Sequence, residues 1–360
     1  MKFRAILGII KSTALHSLPY YYCRFILNRP ILPRYLLLGI TYRCNSKCEM
    51  CAIWKKKDFS GEMSLSEIKA IFVNKKFWRE LRTVSFTGGE PFIRKDIPEI
   101  IDVLNKNCRG LRSIGFNTNG FLVEPLYQNT LLIRSRLDPK ISLNVSLSLD
   151  GIADTHNKIR GIPQAFSLVS ESIERLLPVK QKYANFSISA NCVLQPANIK
   201  DIDMLRELCL ERGIGISFTF PKVGDDFFCN EEIKDRLAFS GSELDKIRQL
   251  YLSLPWSYAN YHYIRYTQGK KRTQACVAGY ADLFIDPAGF VFPCNYLGKS
   301  LGNIKDSSIE QIWYSEKASK IRRNLPQFPL CEDCVQNCDN ECVSLVDKLA
   351  YYRSYLERHW

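Results

Sequence analysis

No apolar run in the 360 residues reaches 18, so no membrane-spanning helix is expected. Acidic residues are missing from the first 48 positions, which hold eight Lys or Arg. A secretory signal is not expected either. Lys2 and Arg4 precede "AILGII", but that apolar core is only six residues long, ends at Lys11 and has no small-residue cleavage site after it. A secreted disulfide scaffold would be shorter and would follow a cleaved signal, so the 14 cysteines are expected as reduced thiols of a cytoplasmic chain. In a reducing compartment, clustered thiols point to metal. The tightest cluster is "TYRCNSKCEMC", Thr41–Cys51, and neither a fourth cysteine nor a histidine stands near it.

What is present begins with charge. The net charge is +13, and 8 of the 13 arise in residues 1–48. There Phe3, Ile6, Leu7, Ile10, Ala14, Leu18, Tyr21 and Phe25 recur at helical spacing. Such a stripe covers one end of a core, or lays a basic amphipathic helix on an anionic membrane or an acidic partner. No helix-turn-helix or aromatic RNA-binding signature accompanies the charge, so nucleic acid is not an expected partner.

The middle of the chain alternates. Apolar, β-rich runs at Tyr35–Thr41, Arg82–Thr87, Ser113–Asn117, Ser142–Leu149, Asn185–Val193 and Gly215–Phe220 are separated by helix-period segments at Ser64–Val73, Asp96–Asn107, Pro125–Arg136, Phe166–Lys182 and Asn198–Arg212. Asp96 with Pro98 suits a helix start, Asn198 a cap and Gly213 a stop. Alternation of this kind predicts an α/β fold with a parallel sheet, either doubly wound or a partial barrel, with polar residues at the carboxyl ends of the strands lining the site.

Those strand ends carry the motifs. The first strand runs into Cys44, Cys48 and Cys51, spaced C-x3-C-x2-C; the second ends in "FTGGEPF", Phe86–Phe92; the third in "FNTNG", Phe116–Gly120; the fourth in "SLSLDG", Ser146–Gly151, followed by "THNKIRG". A zinc knuckle is the competing reading of the cysteines, but zinc sites are usually closed by four ligands. C-x3-C-x2-C after strand one, with Gly88-Gly89-Glu90 after strand two, resembles the radical S-adenosylmethionine (SAM) superfamily over roughly residues 35–220. That resemblance implies a partial (β/α)6 TIM-type barrel. It also implies that Cys44, Cys48 and Cys51 hold three irons of a [4Fe-4S] cube, leaving the fourth for the SAM amino and carboxylate groups. Further SAM contacts follow from it: Gly88, Gly89 and Glu90 at the ammonium, Met50 near the adenine, Ser148 and Asp150 at the ribose, Arg160 at the carboxylate, and more weakly Asn117 and Asn119. Asn-Gly is first of all a turn signal, Asp150-Gly151 reads equally as a turn, and Arg160 reads equally as a surface ion pair.

Near the C-terminus stand Cys276, Cys294, Cys331, Cys334, Cys338 and Cys342. "ADLFI" and "FVF" read as two short strands joined by "DPAG", with Gly289 at the turn position needing positive φ. This pattern is similar to the SPASM or Twitch extension of radical SAM enzymes, which binds auxiliary [4Fe-4S] clusters. Six cysteines complete at most one cluster, and the resemblance favours Cys276, Cys294, Cys331 and Cys334, as in Twitch. Cys338 and Cys342 are then left for a second, incompletely ligated cluster, and zinc is the competing metal. Cys23, Cys108, Cys192, Cys209 and Cys229 are expected as small buried hydrophobes. The boundaries read from this are a basic extension at 1–34, the partial barrel at 35–240, a helical linker at 241–270 and a cysteine-rich β-hairpin plus helix domain at 271–360.

The resemblance implies an enzyme that cleaves SAM reductively to a 5′-deoxyadenosyl radical, which takes a hydrogen atom from a substrate. A flavodoxin- or ferredoxin-type protein is the implied electron donor. Sulfatase-maturing members carry a carboxylate base just after the hairpin cysteine, where this chain has Asn295. The single-cluster spacing favours a small-molecule or carbohydrate substrate. The alternatives are a peptide-modifying maturase and a non-enzymatic iron–sulfur or zinc protein. The basic N-terminus adds an expected peripheral membrane contact.

Overall fold

The computed structural model describes residues 18–224, 227–255, 257–271, 276–325, 327–332 and 334. Six parallel strands, β1 (Tyr35–Thr41), β2 (Thr83–Gly88), β3 (Ser113–Thr118), β4 (Ser142–Ser148), β5 (Phe186–Val193) and β6 (Gly215–Thr219), pair in sequence order. Each lies within one residue of its expected bounds. Helices at Leu65–Ile71, Ile97–Asn107, Val123–Arg136, Ala165–Lys182 and Ile202–Glu211 follow the successive strands. The strands' alternation decides the layering. Leu36, Leu38, Val84, Phe86, Ile114, Phe116, Leu143, Val145, Leu147, Ile188 and Ala190 are buried, and they join Ile100, Ile101, Leu104, Ile133, Val169 and Ile173 of the helices in one core. The intervening residues, among them Ser85, Thr87, Asn117, Asn144, Ser146, Ser148, Asn191 and Thr219, occupy the opposite face.

The sheet does not close: β6 stands at one edge and does not pair with β1. Instead β7 (Asp282–Ile285) runs parallel to β1, with Leu38 opposite Ile285, and β8 (Phe290–Phe292) and β9 (Gly302–Asn303) follow antiparallel. The C-terminal hairpin therefore extends the barrel sheet. Gly289 has φ +87 at its turn, as the sequence requires.

Several local readings are corrected. Asp96 does not cap the helix it precedes, because its carboxylate pairs with Arg94, which also donates to Ile40 O and Met63 O. Asn198 is not a helix N-cap. It sits inside a 3₁₀ turn, Pro196–Asp201, accepting from Gln195 N and donating to Val193 O. A short helix, Asp154–Arg160, ended by Gly161 at φ 65, was not foreseen. Helices Gly241–Ser253 and Tyr258–Thr267 fill the expected linker, and they pack Tyr251 and Tyr263 around Phe220 beyond β6. Cys108, Cys192 and Cys209 are buried as expected, whereas Cys23 and Cys229 are half-buried. Of the N-terminal stripe, Leu18 and Phe25 are exposed, and Tyr20 and Arg24 are buried in their place. Residues 3–14 of the stripe lie outside the described residues, as do Cys338 and Cys342.

Candidate active site

The cysteine loop leaves β1 and is fastened on four sides. Thr41 Oγ1 and Tyr42 N both donate to Glu62 Oε1, at 3.0 and 2.5 Å. From the β2 side, Gly89 N donates to Thr41 O at 2.7 Å and Glu90 N to Arg43 O at 2.8 Å. Lys47 N and Glu49 N donate to the carbonyls of Arg160 and Ile159 at the end of the short helix. Ala52 N reaches Phe228 O, and Asn230 Nδ2 donates to Met50 O at 2.7 Å. Glu62 and Asn230 carry no motif, and sequence reasoning missed both. Gly88 and Gly89 are required by this packing. A Cβ on Gly88 would stand 2.2 Å from Thr41 O, and one on Gly89 2.1 Å from Arg43 O.

Cys48 is buried and Cys44 and Cys51 are half-buried. Burial pushes the Cys44 and Cys51 thiols up to about 12, and the nearby Cys48 adds to both shifts. Polar hydrogens converge on the sulfurs. Arg160 Nη1 donates to Cys48 Sγ at 3.4 Å, Ser46 Oγ lies 3.1 Å from the same sulfur, and Asn119 Nδ2 lies 4.0 Å from Cys44 Sγ. Among the described residues, no three Cys, His, Asp or Glu side chains converge as a single metal ion requires. Cys44, Cys48 and Cys51 lie close enough for their charges to interact, as a cube in which each thiolate takes its own iron would need. Donors aimed at sulfur suit it also, because they stabilise thiolate charge.

Behind the loop, Arg160 pairs with Asp150 (Nη2 to Oδ2, 2.5 Å), and Val193 N donates to Asp150 Oδ1 at 2.8 Å. Burial raises the Asp150 pKa, and the Arg160 charge and Val193 amide oppose the rise. Asp150 N donates to His156 Nδ1 at 3.0 Å, which fixes the proton of this buried imidazole on Nε2; burial, with Arg160 adding, depresses its pKa to about 2. Glu90 turns its carboxylate into the β3 loop and accepts from Thr118 Oγ1, Asn119 N and Phe92 N. Burial nevertheless carries its pKa to about 7. Asn119 also bonds Asn45 Oδ1 at 2.8 Å.

A cavity of about 440 Å³ occupies the open face of the sheet. Met50, Cys51, Ser148 and Arg160 border it at the cysteine-loop end. Its wall is Thr87, Asn117, Ser146, Asn191 and Thr219, and Phe284, Pro293, Cys294 and Asn295 of the hairpin stand opposite. Gly88, Gly89, Glu90, Asn119 and Asp150 are not among its lining residues. Lys222 Nζ lies 3.5 Å from Asn295 Oδ1. Cys276 is buried, and Cys294, Cys331 and Cys334 are half-buried. Pro293, beside Cys294, reaches within 3.2 Å of a Cβ placed on Gly279, so the chain stretches that carry Cys276 and Cys294 touch. Cys331 and Cys334 share one turn, with Cys334 N donating to Cys331 O.

The family model of the Radical SAM superfamily matches residues 38–209, and that of SPASM, an iron-sulfur cluster-binding domain, matches residues 276–335. The second span takes in Cys276, Cys294, Cys331 and Cys334. An AdoMet-dependent heme synthase of Methanosarcina barkeri is 28% identical over 315 residues, covering 81% of this chain and 84% of that protein. The antilisterial bacteriocin subtilosin biosynthesis protein AlbA of Bacillus subtilis is 26% identical over 321 residues, covering 85% of this chain and 65% of that one. The structure of Streptococcus suis SuiB bound to its precursor peptide SuiA aligns with TM-score 0.60 at 15% identity, over 88% of this chain and 74% of that one. The cysteine loop, the Gly-Gly-Glu grip upon it and the hairpin cysteines thus sit where two matching family models meet on one sheet. The chain is an enzyme that uses SAM, a [4Fe-4S] cluster and auxiliary iron–sulfur chemistry: it belongs to the radical SAM superfamily and carries a C-terminal SPASM domain.

Proposed function

We propose that this enzyme removes a hydrogen atom from a hydroxyl- or amide-rich small molecule, of carbohydrate type, held against the open face of the sheet. The observation that carries the reading is the cavity wall: Thr87, Asn117, Ser146, Ser148, Asn191 and Thr219 offer a run of neutral hydrogen-bonding groups, and the charged residues Arg160, Lys222 and Asp282 complete the lining. Cys44, Cys48 and Cys51 would hold the SAM-binding cluster, and Cys276, Cys294, Cys331 and Cys334 the auxiliary one. With SAM and an electron supplied, the front cluster would provide the one-electron cleavage of SAM to methionine and a 5′-deoxyadenosyl radical, the species that would take the hydrogen atom. The chain's own residues position and shield. Glu62, Asn230 and Gly88–Glu90 fix the loop, Arg160 donates to Cys48, and Met50 and Ser148 border the space for the nucleoside. Phe228 and Phe284 add apolar surface to the cavity lining. Asn295 cannot take a proton, so any acid–base step falls to another group or to solvent. A flavodoxin- or ferredoxin-type donor would supply the electron. The exposed Leu18, Tyr22, Phe25, Ile26 and Leu27, beside an acid-free basic stretch, support a peripheral contact with an anionic membrane.

Anaerobic reconstitution with iron, sulfide, SAM and dithionite tests the central reading. The chain should release 5′-deoxyadenosine, and deuterium from a labelled sugar-type substrate should appear in it. No 5′-deoxyadenosine from a fully iron-loaded chain would overturn it. A peptide substrate is the second reading. AlbA is named for bacteriocin biosynthesis and SuiB is bound to a precursor peptide, and amide-rich walls serve a peptide backbone equally. Deuterium transfer from a labelled precursor peptide, with none from sugars, would select it.

A further inference from the structure

Two arginines are buried around the loop that carries Cys276. Arg24 is 6% exposed and Arg322 2%, and neither has a carboxylate partner among the described residues. Arg322 donates to Gly279 O and Trp313 O and lies 4.7 Å from the Trp313 ring centroid. Arg24 donates to Tyr20 Oη and lies 4.6 Å from the Tyr280 ring centroid. Tyr20 is itself buried, and its Oη donates to Cys276 O at 2.8 Å. Tyr20, Val277, Tyr280 and Ala281 form a small core of their own, apart from the barrel core. The chain then continues past this loop in contact with it, Ile31 N bonding Tyr280 O and Arg34 N bonding Ala281 O.

A buried cation without a counter-charge is costly, several kcal/mol by general estimate. Burial accordingly depresses Arg322 to about 10. Two buried arginines around one loop, neither with a carboxylate partner among the described residues, call for an anion close by. A cube held by four thiolates is such an anion, since the thiolate charges outweigh that of its core. Net charge and nearby hydrogen bonds are also what set a cluster's potential. We infer that the N-terminal turn is a working part of the auxiliary-cluster site: Tyr20 positions Cys276 through its carbonyl, and Arg24, with Arg322, supplies positive charge that raises the cluster's reduction potential. Tyr20 and Arg24 are positioning residues here. Their side chains, four positions apart, face inward, whereas Leu18, Tyr22, Phe25 and Ile26 face out. The inference rests on the assignment of Cys276 as a ligand made above.

The test uses the full chain with Cys44, Cys48 and Cys51 all replaced by Ala, so that only auxiliary iron remains. Arg24→Met, Arg24→Lys and Tyr20→Phe are then compared by redox titration followed by electron paramagnetic resonance. At the parent's midpoint, Arg24→Met should lower the reduced-to-oxidised ratio about tenfold, which is about 59 mV for one electron. Arg24→Lys should retain most of the parent value, and Tyr20→Phe should change the line shape with iron retained. Unchanged potentials and line shapes at full iron content would overturn the inference alone. If Arg24→Met fails to fold, Tyr20→Phe decides by itself, an unchanged spectrum overturning the inference and an altered one supporting it. If the triple-Ala parent holds no iron, the ligand assignment falls and the inference with it.

Discussion

Replacing Gly89 by Ala puts one methyl group where the cysteine loop passes. The new Cβ would lie 2.1 Å from Arg43 O, 2.6 Å from Arg43 C and 2.7 Å from Tyr42 O. These are backbone atoms, so no side chain can swing aside. Carbon and oxygen in contact need roughly 3 Å or more, so the two strand ends must part by about 1 Å. Overpacking of this kind costs about 1–3 kcal/mol, which a chain of this size survives. Function should suffer more than folding, because the displaced segment begins one residue before Cys44. A misplacement of about 1 Å in a reacting constellation costs on the order of 100-fold in rate. The assay is 5′-deoxyadenosine release per iron-loaded chain under dithionite, with iron counted separately. Gly89→Ala should keep its auxiliary iron and lose roughly 100-fold in SAM cleavage. Gly215→Ala is the control, since a Cβ there meets nothing within 4 Å. Wild-type cleavage by Gly89→Ala would refute the claim that backbone contact with the loop demands glycine.

Three further outcomes follow from other parts of the site. Arg160→Met leaves the Asp150 carboxylate buried without its cation; loss of one partner of a buried pair costs about 3–5 kcal/mol in urea unfolding, and Arg160→Met/Asp150→Leu should recover most of it, whereas a single-variant cost below about 1 kcal/mol would contradict the pairing. Glu90 titrates near 7 when folded against 4.5 when free, so between those values the folded chain holds the extra proton and stability falls as pH rises. The drop is about 3 kcal/mol, and His156, depressed to about 2, works the other way, its contribution being lost as pH falls below 6.5. The difference between wild type and Glu90→Gln on the metal-free chain isolates the Glu90 slope, and parallel pH curves would rule it out. Phe25→Ser/Ile26→Ser should weaken co-sedimentation with phosphatidylserine vesicles at least about tenfold, since each exposed side chain brings about 1.5–3 kcal/mol when buried; undiminished binding would remove the membrane reading.

The strands were legible because parallel strands between a core and a cavity alternate strictly. Leu143, Val145 and Leu147 are buried while Ser142, Asn144, Ser146 and Ser148 are not. The cysteine loop and Gly88–Glu90 were legible because each chemical demand fixes residue type and spacing within a few positions. Long-range fastening was not. Glu62 sits 20 residues from the amide it accepts from, and Asn230 sits 180 residues from the carbonyl it bonds. Neither residue belongs to a periodic pattern, and a single carboxylate or amide in a loop reads as solvated. The described end of the N-terminal stripe was half legible for a related reason. Helical spacing of apolar residues measures which side chains share a face, not which face is covered. Here an aromatic–arginine pair, Tyr20 with Arg24, turned inward because Tyr280 and the Cys276 carbonyl offered it partners.

The pairing of β7 with β1 changes what the C-terminal segment can do. A cysteine-rich domain tethered by a linker could sample positions relative to the cysteine loop. A hairpin in the same sheet cannot, because sliding it by one residue would exchange the buried and cavity-facing sides of β7. Leu36 opposite Leu283 and Leu38 opposite Ile285 fix that register through the core. Cys294 and Asn295 follow β8 after Pro293 and are thereby carried to the cavity that Ser146 and Asn191 also line, while the cysteine loop leaves β1 on the other side of β7. Both segments are thus referenced to one sheet, in which β1 and β8 flank β7. The distance between the front thiols and Cys294 is therefore set by sheet geometry, and with the clusters proposed above in place a substrate bound between them would meet two iron–sulfur sites at a fixed separation.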